Sequence, residues 1–150
     1  MRCFFTRAVR DRSGVAAVEF GFMIPIFVLM VVSVTDIGLR VYRKMQVEAA
    51  AQVGVQYAIT HGFDESAISA AVTSATNATG ITASPAPRSY CGCVSGSSIV
   101  TVTCGATCPG GAMAGTYTTV SAQASYSTIV DYVVVPANYN FSAQSTVRLQ

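Results

Sequence analysis

The longest apolar stretch in the chain is FGFMIPIFVLMVVSV, from Phe20 to Val34, which carries no charged side chain. Extended back through Val15 to Val18 and across Glu19, it reaches about 20 residues, enough to cross a hydrocarbon core as a helix. Pro25 lies inside it and would kink a soluble helix, but a helix in lipid tolerates it. Such a run directly behind an arginine cluster has the pattern of a targeting or anchoring segment, not of a buried helix in a globular core. Past Val34 nothing stops the helix. In DIGLRVYRKMQVEAAAQVGVQYAI the residues Ile37, Val41, Met45, Val47, Ala51, Val55 and Ala58 recur at roughly helical spacing, and Gly38 and Gly54 weaken it only locally. A single helix from about Val15 to Ile59 is expected, roughly 68 Å long at ~1.5 Å per residue. A face of small residues (Ala49, Ala50, Ala51, Gly54, Ala58) permits close approach of another helix, in the same chain or a neighbour. His61-Gly62 ends the helix, with Gly62 as its C-cap.

Beyond that point the pattern changes twice. Asp64 is placed to cap a second helix running to about Ala78, because Ile68, Ala71, Val72 and Ala75 share one face. NATGITASPAPRS reads as a linker, since Pro85 and Pro87 oppose regular structure. Then Ser98 to Cys104, Thr116 to Val135 and Ser142 to Leu149 are rich in Thr, Val, Ser and Tyr with partial alternation, which is strand material. ASYSTIVDYVVV is the clearest of these, with Pro136 and Asn138 marking its end. The expected fold is α+β: a long N-terminal transmembrane helix continuing into a small extracytoplasmic domain with a second helix and a three- to four-stranded antiparallel sheet. In outline, 1–14 form a basic leader, 15–60 the long helix with its span at about 15–35, and 61–150 the outer domain.

Charge sharpens the first part of this division. The net charge of +2 hides an asymmetry, because Arg2, Arg7, Arg10 and Arg12 against Asp11 give the first 14 residues +3. The remainder carries no basic face and no alternation of Arg with aromatics, so nucleic acid is not an expected partner. The bias toward a cytoplasmic N-terminus is modest, because Arg40, Arg43 and Lys44 follow the span. A cleavable secretory signal needs small residues in an A-x-A-like arrangement just after the apolar core; SVTDIGLRVYRK offers none, so the span is expected to stay in the mature protein. Only 11% of residues are charged, and 66–87 hold no charge at all, which suits an extracytoplasmic or assembled protein better than a free cytosolic one.

A core this small needs staples. Cys3 lies in the leader, and removing the leader leaves an even set: Cys91, Cys93, Cys104 and Cys108, spaced C-x-C…C-x3-C. A Cys91–Cys93 ring would be strained, so either pairing that joins these two to Cys104 and Cys108 is expected, and the choice between them stays open. A zinc site is the competing reading, but C-x-C departs from the usual ligand spacing. No enzyme signature is present. His61 is the single histidine, the acids form no spaced catalytic pair, and Gly110-Gly111 lacks the Lys and strand–helix context of a phosphate loop. No catalysis and no cofactor or metal are expected. Asn77-Ala78-Thr79 fits the glycosylation pattern, a three-residue match that is common by chance.

Arg12-Ser13-Gly14-Val15-Ala16-Ala17-Val18-Glu19-Phe20, followed by an apolar span with Pro25, resembles the TadE-like family of pseudopilins of tight-adherence (Flp-type) pilus systems. Further matches are Ile37-Gly38 after Asp36, the stretch QVEAAAQVGVQY from Gln46 to Tyr57, and the ending AQSTVRL from Ala143 to Leu149. The N-terminal third carries most of the likeness, and TadF-like or TadG-like relatives share much of this leader. The resemblance implies a basic cytoplasmic leader cut by a membrane-embedded prepilin peptidase after Gly14, making Val15 the new N-terminus and Glu19 its fifth residue. It implies that Glu19 serves assembly by meeting the amino group of Val15 on its own or a neighbouring chain. A carboxylate at the edge of the hydrocarbon, costly alone and tolerable when paired, fits that role. The implied partners are the peptidase, other pilin or pseudopilin subunits, the inner-membrane assembly machinery and the bilayer; the implied location is a bacterial inner membrane with the C-terminal domain in the periplasm. The rival readings are an unprocessed single-pass envelope protein with an interaction domain and, disfavoured by the missing catalytic groups, a tethered enzyme.

Overall fold

The computed structural model describes residues 13–129 and 137–149. The leader as far as Arg12, Cys3 included, and the part of the expected second strand run at 130–135 lie outside the described residues. The chain divides into two compact units, Met1–Leu39 and Arg40–Gln150. The long helix α1 (Ser13–His61) contributes to both.

In the first unit, α1 exposes large apolar side chains in every direction, while Asp36 near its end is buried. Phe20, Phe22, Met23, Ile26, Phe27 and Leu29 are each at least 59% exposed, so no single face is reserved for a protein core. Two hydroxyls within this segment are satisfied locally: Ser33 Oγ donates to the Leu29 carbonyl at 2.7 Å and Thr35 Oγ1 to the Val31 carbonyl at 2.9 Å. That back-bonding is what a hydroxyl in hydrocarbon requires, because no water is there to take its place. Pro25 sits inside the helix and withdraws one amide donor, the one that would serve the Gly21 carbonyl.

The second unit begins with the remainder of α1, which is helical to His61 and closes on Gly62. Gly62 takes φ +83°, a left-handed conformation that glycine adopts without strain, and its amide donates to the Ala58 carbonyl at 3.0 Å. Asp64 then caps α2 (Glu65–Ser74), accepting at one carboxylate oxygen from the Ser66 amide at 2.9 Å and the Ala67 amide at 3.0 Å. α2 stops at Ser74, four residues before the expected end. Its last turn is Ser- and Thr-rich, and these side chains turn back on the chain: Ser74 Oγ donates to the Ala70 carbonyl, and Thr76 Oγ1 accepts from the Ala78 amide. The linker is less idle than its prolines suggest. Ile81 is buried in the core, and Thr82 exchanges two backbone hydrogen bonds with Gln123, at 2.9 and 2.8 Å.

Four strands follow: β1 (Arg88–Ser95), β2 (Ser98–Thr101), β3 (Gly115–Ser127) and β4 (Asn138–Arg148). They form one fully antiparallel sheet in the order β2-β1-β3-β4. The β1–β2 loop is two residues long, with Gly96 at its first position and φ +60°, the requirement of a type II′ hairpin. β3 and β4 pair without a break from Tyr117 opposite Arg148 to Ser127 opposite Asn138. Asn138 thus begins a strand instead of marking the end of one. The reason is alternation: Tyr139, Phe141, Ala143 and Val147 face inward and are half-buried, while the intervening Asn, Ser, Gln and Thr residues face solvent.

The core lies between α1, α2 and β3. Val47, Ala50, Ala51, Val55 and Ala58 from α1 meet Ile68 and Val72 from α2 and Val120, Ala122 and Ala124 from β3. The small-residue face is therefore filled by this chain, and by a sheet as well as a helix; Ala49 alone of the five faces solvent. At Gly54 the approach is closest: a Cβ there would lie 2.5 Å from Val72 Cγ2 and 2.7 Å from Val120 Cγ1. Both are short β-branched side chains with little freedom to move aside.

Gly54→Ala should therefore lower stability by about 1–2 kcal/mol, overpacking outweighing the gain in helix propensity. Thermal unfolding of the full chain in detergent micelles measures this; an unchanged or raised midpoint would mean that the two valines give way. The hydrogen bonds from the Ala67 amide, the Ser66 side chain and the Ser66 amide hold Asp64 below the usual carboxylate range. Its cap is therefore complete above the unfolded value near 3.8 and is lost as pH falls through the lower folded value. Asp64→Asn should keep the cap while losing part of the stability decline between neutral and strongly acidic pH, and identical pH profiles would contradict that assignment.

Candidate processing and assembly site

Gly14 and Val15 lie in the first turn of α1, which begins at Ser13. Glu19 follows Val15 by four residues, one helical turn and about 6 Å along the axis. The Glu19 side chain is exposed, at the head of a segment whose apolar window has a mean hydropathy of 2.3 and no buried share. An apolar surface that wraps the whole helix is far larger than the scattered exposed residues of a soluble monomer. Its natural solvent is lipid, and this N-terminal helix points to a membrane-anchored protein. Within that setting Glu19 stands at the N-terminal edge of the span, where an unpaired carboxylate costs less than at the bilayer centre but still gains from a positive partner.

Residues 14–56 match the family model described as TadE-like protein. The match begins at Gly14, spans the apolar segment and continues into α1 as far as Gln56, so the recognition drawn from the RSGVAAVEF motif holds over that stretch. It points to a role in tight-adherence pilus assembly together with other pilus components. No curated protein and no solved structure matches the chain.

The sheet domain adds the staples. Cys91 is bonded to Cys104 and Cys93 to Cys108, which resolves the two pairings left open by the spacing. Cys91 and Cys93 stand two apart on β1, so alternation turns both to the same side of the strand. Both can then reach the loop that follows β2. With all four sulfurs bonded in pairs, these cysteines are not the zinc knot that the same residues could otherwise form. The closed loops span 13 and 15 residues, and each bond stabilises mainly by restricting the unfolded chain, by about 3 kcal/mol for loops of this length.

Two of the three basic residues after the span do structural work that sequence pattern did not reveal. The Arg40 guanidinium lies over the Tyr139 ring, 4.2 Å from its centroid. Arg43 donates to the Thr79 carbonyl and, at 3.5 Å, to Gln46, tying α1 to the segment after α2. Lys44 pairs with Glu48 at 3.8 Å on an exposed face, a contact worth little. The partners of Arg40 and Arg43 are 99 and 36 residues away, so no local signal could have found them.

In a Cys3→Ser background, removing Cys93 and Cys108 together should leave no free thiol and lower stability by about 3 kcal/mol. Removing Cys91 and Cys108 instead should leave Cys93 and Cys104 alkylatable. Intact mass after alkylation under non-reducing conditions distinguishes the two; a free-thiol count of zero in the second variant would favour the crossed pairing.

Proposed function

We propose that this chain is a minor pilin-like subunit (a pseudopilin) of a tight-adherence pilus system, made with a cytoplasmic leader and cut by a prepilin peptidase between Gly14 and Val15. The observation that carries this reading is the coincidence at one place of the TadE-like match, which starts at Gly14, with Glu19 one turn further along an unburied apolar helix. Cutting there exposes the Val15 amine at the membrane edge, close enough in sequence for its charge to meet a Glu19 carboxylate. Pairing within one chain neutralises the carboxylate; pairing between chains makes the same charge a condition for docking a subunit beside its neighbour. The leader's arginines hold the N-terminus in the cytoplasm of a bacterial inner membrane and the stapled domain in the periplasm. The chain acts by assembly, with no catalytic step of its own.

N-terminal sequencing of the membrane-expressed protein, with and without the cognate peptidase, tests the processing step. The expected mature terminus is Val15, and Gly14→Ala should retain the leader. Met1 retained in the presence of active peptidase would instead identify an unprocessed single-pass envelope protein. Glu19→Ala should still be cut but should lose most pilus-dependent adherence, with Glu19→Gln equally impaired because it keeps the shape and loses the charge. Normal adherence in both variants would remove the charge-pairing role.

A further inference from the structure

Among the described residues the sheet is bounded by β2 on one side and β4 on the other, and the details of these two edges fit each other. The amide of Leu149 donates to the Thr116 carbonyl and that of Thr128 to the Ala137 carbonyl, both in the register of the β3–β4 ladder. Alternation then assigns the odd-numbered residues of β4 to β3 and turns the backbone N–H and C=O groups of Asn138, Asn140, Ser142, Gln144, Thr146 and Arg148 outward. That edge is 11 residues long, contains no proline or bulge, and has its single charge at the last position. Natural edges of this length are commonly guarded by lysines, prolines or bulges. At the other side of the sheet, the Val102 amide donates to the Cys91 carbonyl, so the same reasoning turns the backbone groups of Ile99 and Thr101 outward on β2. β2 carries no charge, and Val100 is 50% exposed.

Direction decides what can occupy the β4 edge. Within the second unit α1 runs the same way as β4: Arg40 lies at Tyr139, while Ala58 and Gly62 line one groove with Leu149. Pairing β4 with β4 of a second copy in antiparallel fashion would set the Arg40 ends of the two α1 helices at opposite ends of the joined sheet, although in each chain Arg40 follows directly on the apolar segment. β2 runs opposite to β4, because four antiparallel strands separate the edges by an odd number of reversals. A second copy in the same orientation therefore presents β2 antiparallel to β4, with the two α1 helices parallel. The faces also agree. Outward residues of β2 oppose even residues of β4, which sets Val100 against the odd row of β4, where Phe141, Ala143 and Val147 are only half covered.

We infer that copies of this chain, inserted the same way in one membrane, join head to tail through the β4 edge of one and the β2 edge of the next. The sheet is continued from copy to copy, and Val100 covers the exposed flank of the odd β4 row. Such a contact is heterologous, so it extends instead of closing on itself. It needs only membrane anchorage and does not rest on leader processing.

The test uses full-length chains in a Cys3→Ser background, co-expressed in membranes and treated with a short thiol cross-linker. Val100→Cys in one copy should form a covalent dimer with Phe141→Cys, Ala143→Cys or Ser145→Cys in another, and none of these variants should do so alone. Gln144→Pro should abolish that dimer, since it removes an outward amide that β3 does not use, while both native disulfides stay intact by mass. Self-linking of Ala143→Cys would show the two-fold β4 pairing and overturn the inference. So would persistence of the mixed dimer in Gln144→Pro, or its absence from every mixture, the latter leaving the β4 edge to a different chain.

Discussion

The outer unit depends on how closely α1 can approach the sheet. At Gly54 there is no room for a Cβ between the helix backbone and the methyls of Val72 and Val120. That approach is possible because both sides are lined with small residues: Ala50, Ala51 and Ala58 on α1, Ala122 and Ala124 on β3. Small residues facing small residues make a thin layer with little apolar area of its own. Ile68 and Val72 of α2 therefore fill it from one side, and the inward row of β4 packs against it from another. The result is well packed but narrow, and neither Cys91 nor Cys93 belongs to that cluster. The disulfides fasten β1 and the loop after β2 where core packing does not, so the two devices act on different parts of the chain.

One helix serves two solvents, and its sequence changes character where the solvent changes. In the first unit apolar side chains go all the way round and the hydroxyls of Ser33 and Thr35 bond to the helix itself. In the second, Val47 to Ala58 form a single buried stripe while Glu48, Gln52 and Gln56 stay in water. This difference explains what was legible. Continuity of α1 could be read from the absence of a breaker, and its C-terminal end from Gly62. Asp64 as a cap could be read because the chemistry is local. The small-residue face could be seen, but not its occupant, because a stripe of alanines suits a neighbouring helix, a sheet or another subunit equally well. Only the placement of Val120 resolves that.

The same limit applied to β4 and to the cysteines. Asn138 after Pro136 has the local character of a turn, and the strand becomes visible only when Tyr139, Phe141 and Ala143 are set against Ala124 and Ala122 of β3. In C-x-C, both sulfurs point to one side of β1, so spacing alone permits either pairing with Cys104 and Cys108; the path of the intervening loop makes the choice. For the processing site the position is reversed. Gly14 and Glu19, as proposed, stand out in a linear motif because a peptidase and a membrane edge would read the chain linearly.

The basic residues that follow the span bear on the proposed orientation. Counted as charges, Arg40, Arg43 and Lys44 nearly balance the four arginines of the leader and weaken the preference for a cytoplasmic N-terminus. Their contacts give two of them another reason to be where they are. Arg40 needs a flat cation to cover Tyr139, and Arg43 needs a long donor to reach Thr79. A residue kept for packing says little about which side of a membrane it occupies, whereas the leader's arginines gather in a segment of 12 residues directly ahead of α1. Once the Arg40 and Arg43 contacts are set aside, the charge asymmetry lies with the leader, which favours the orientation that presents Gly14 to a membrane-embedded peptidase and the disulfides to an oxidising compartment.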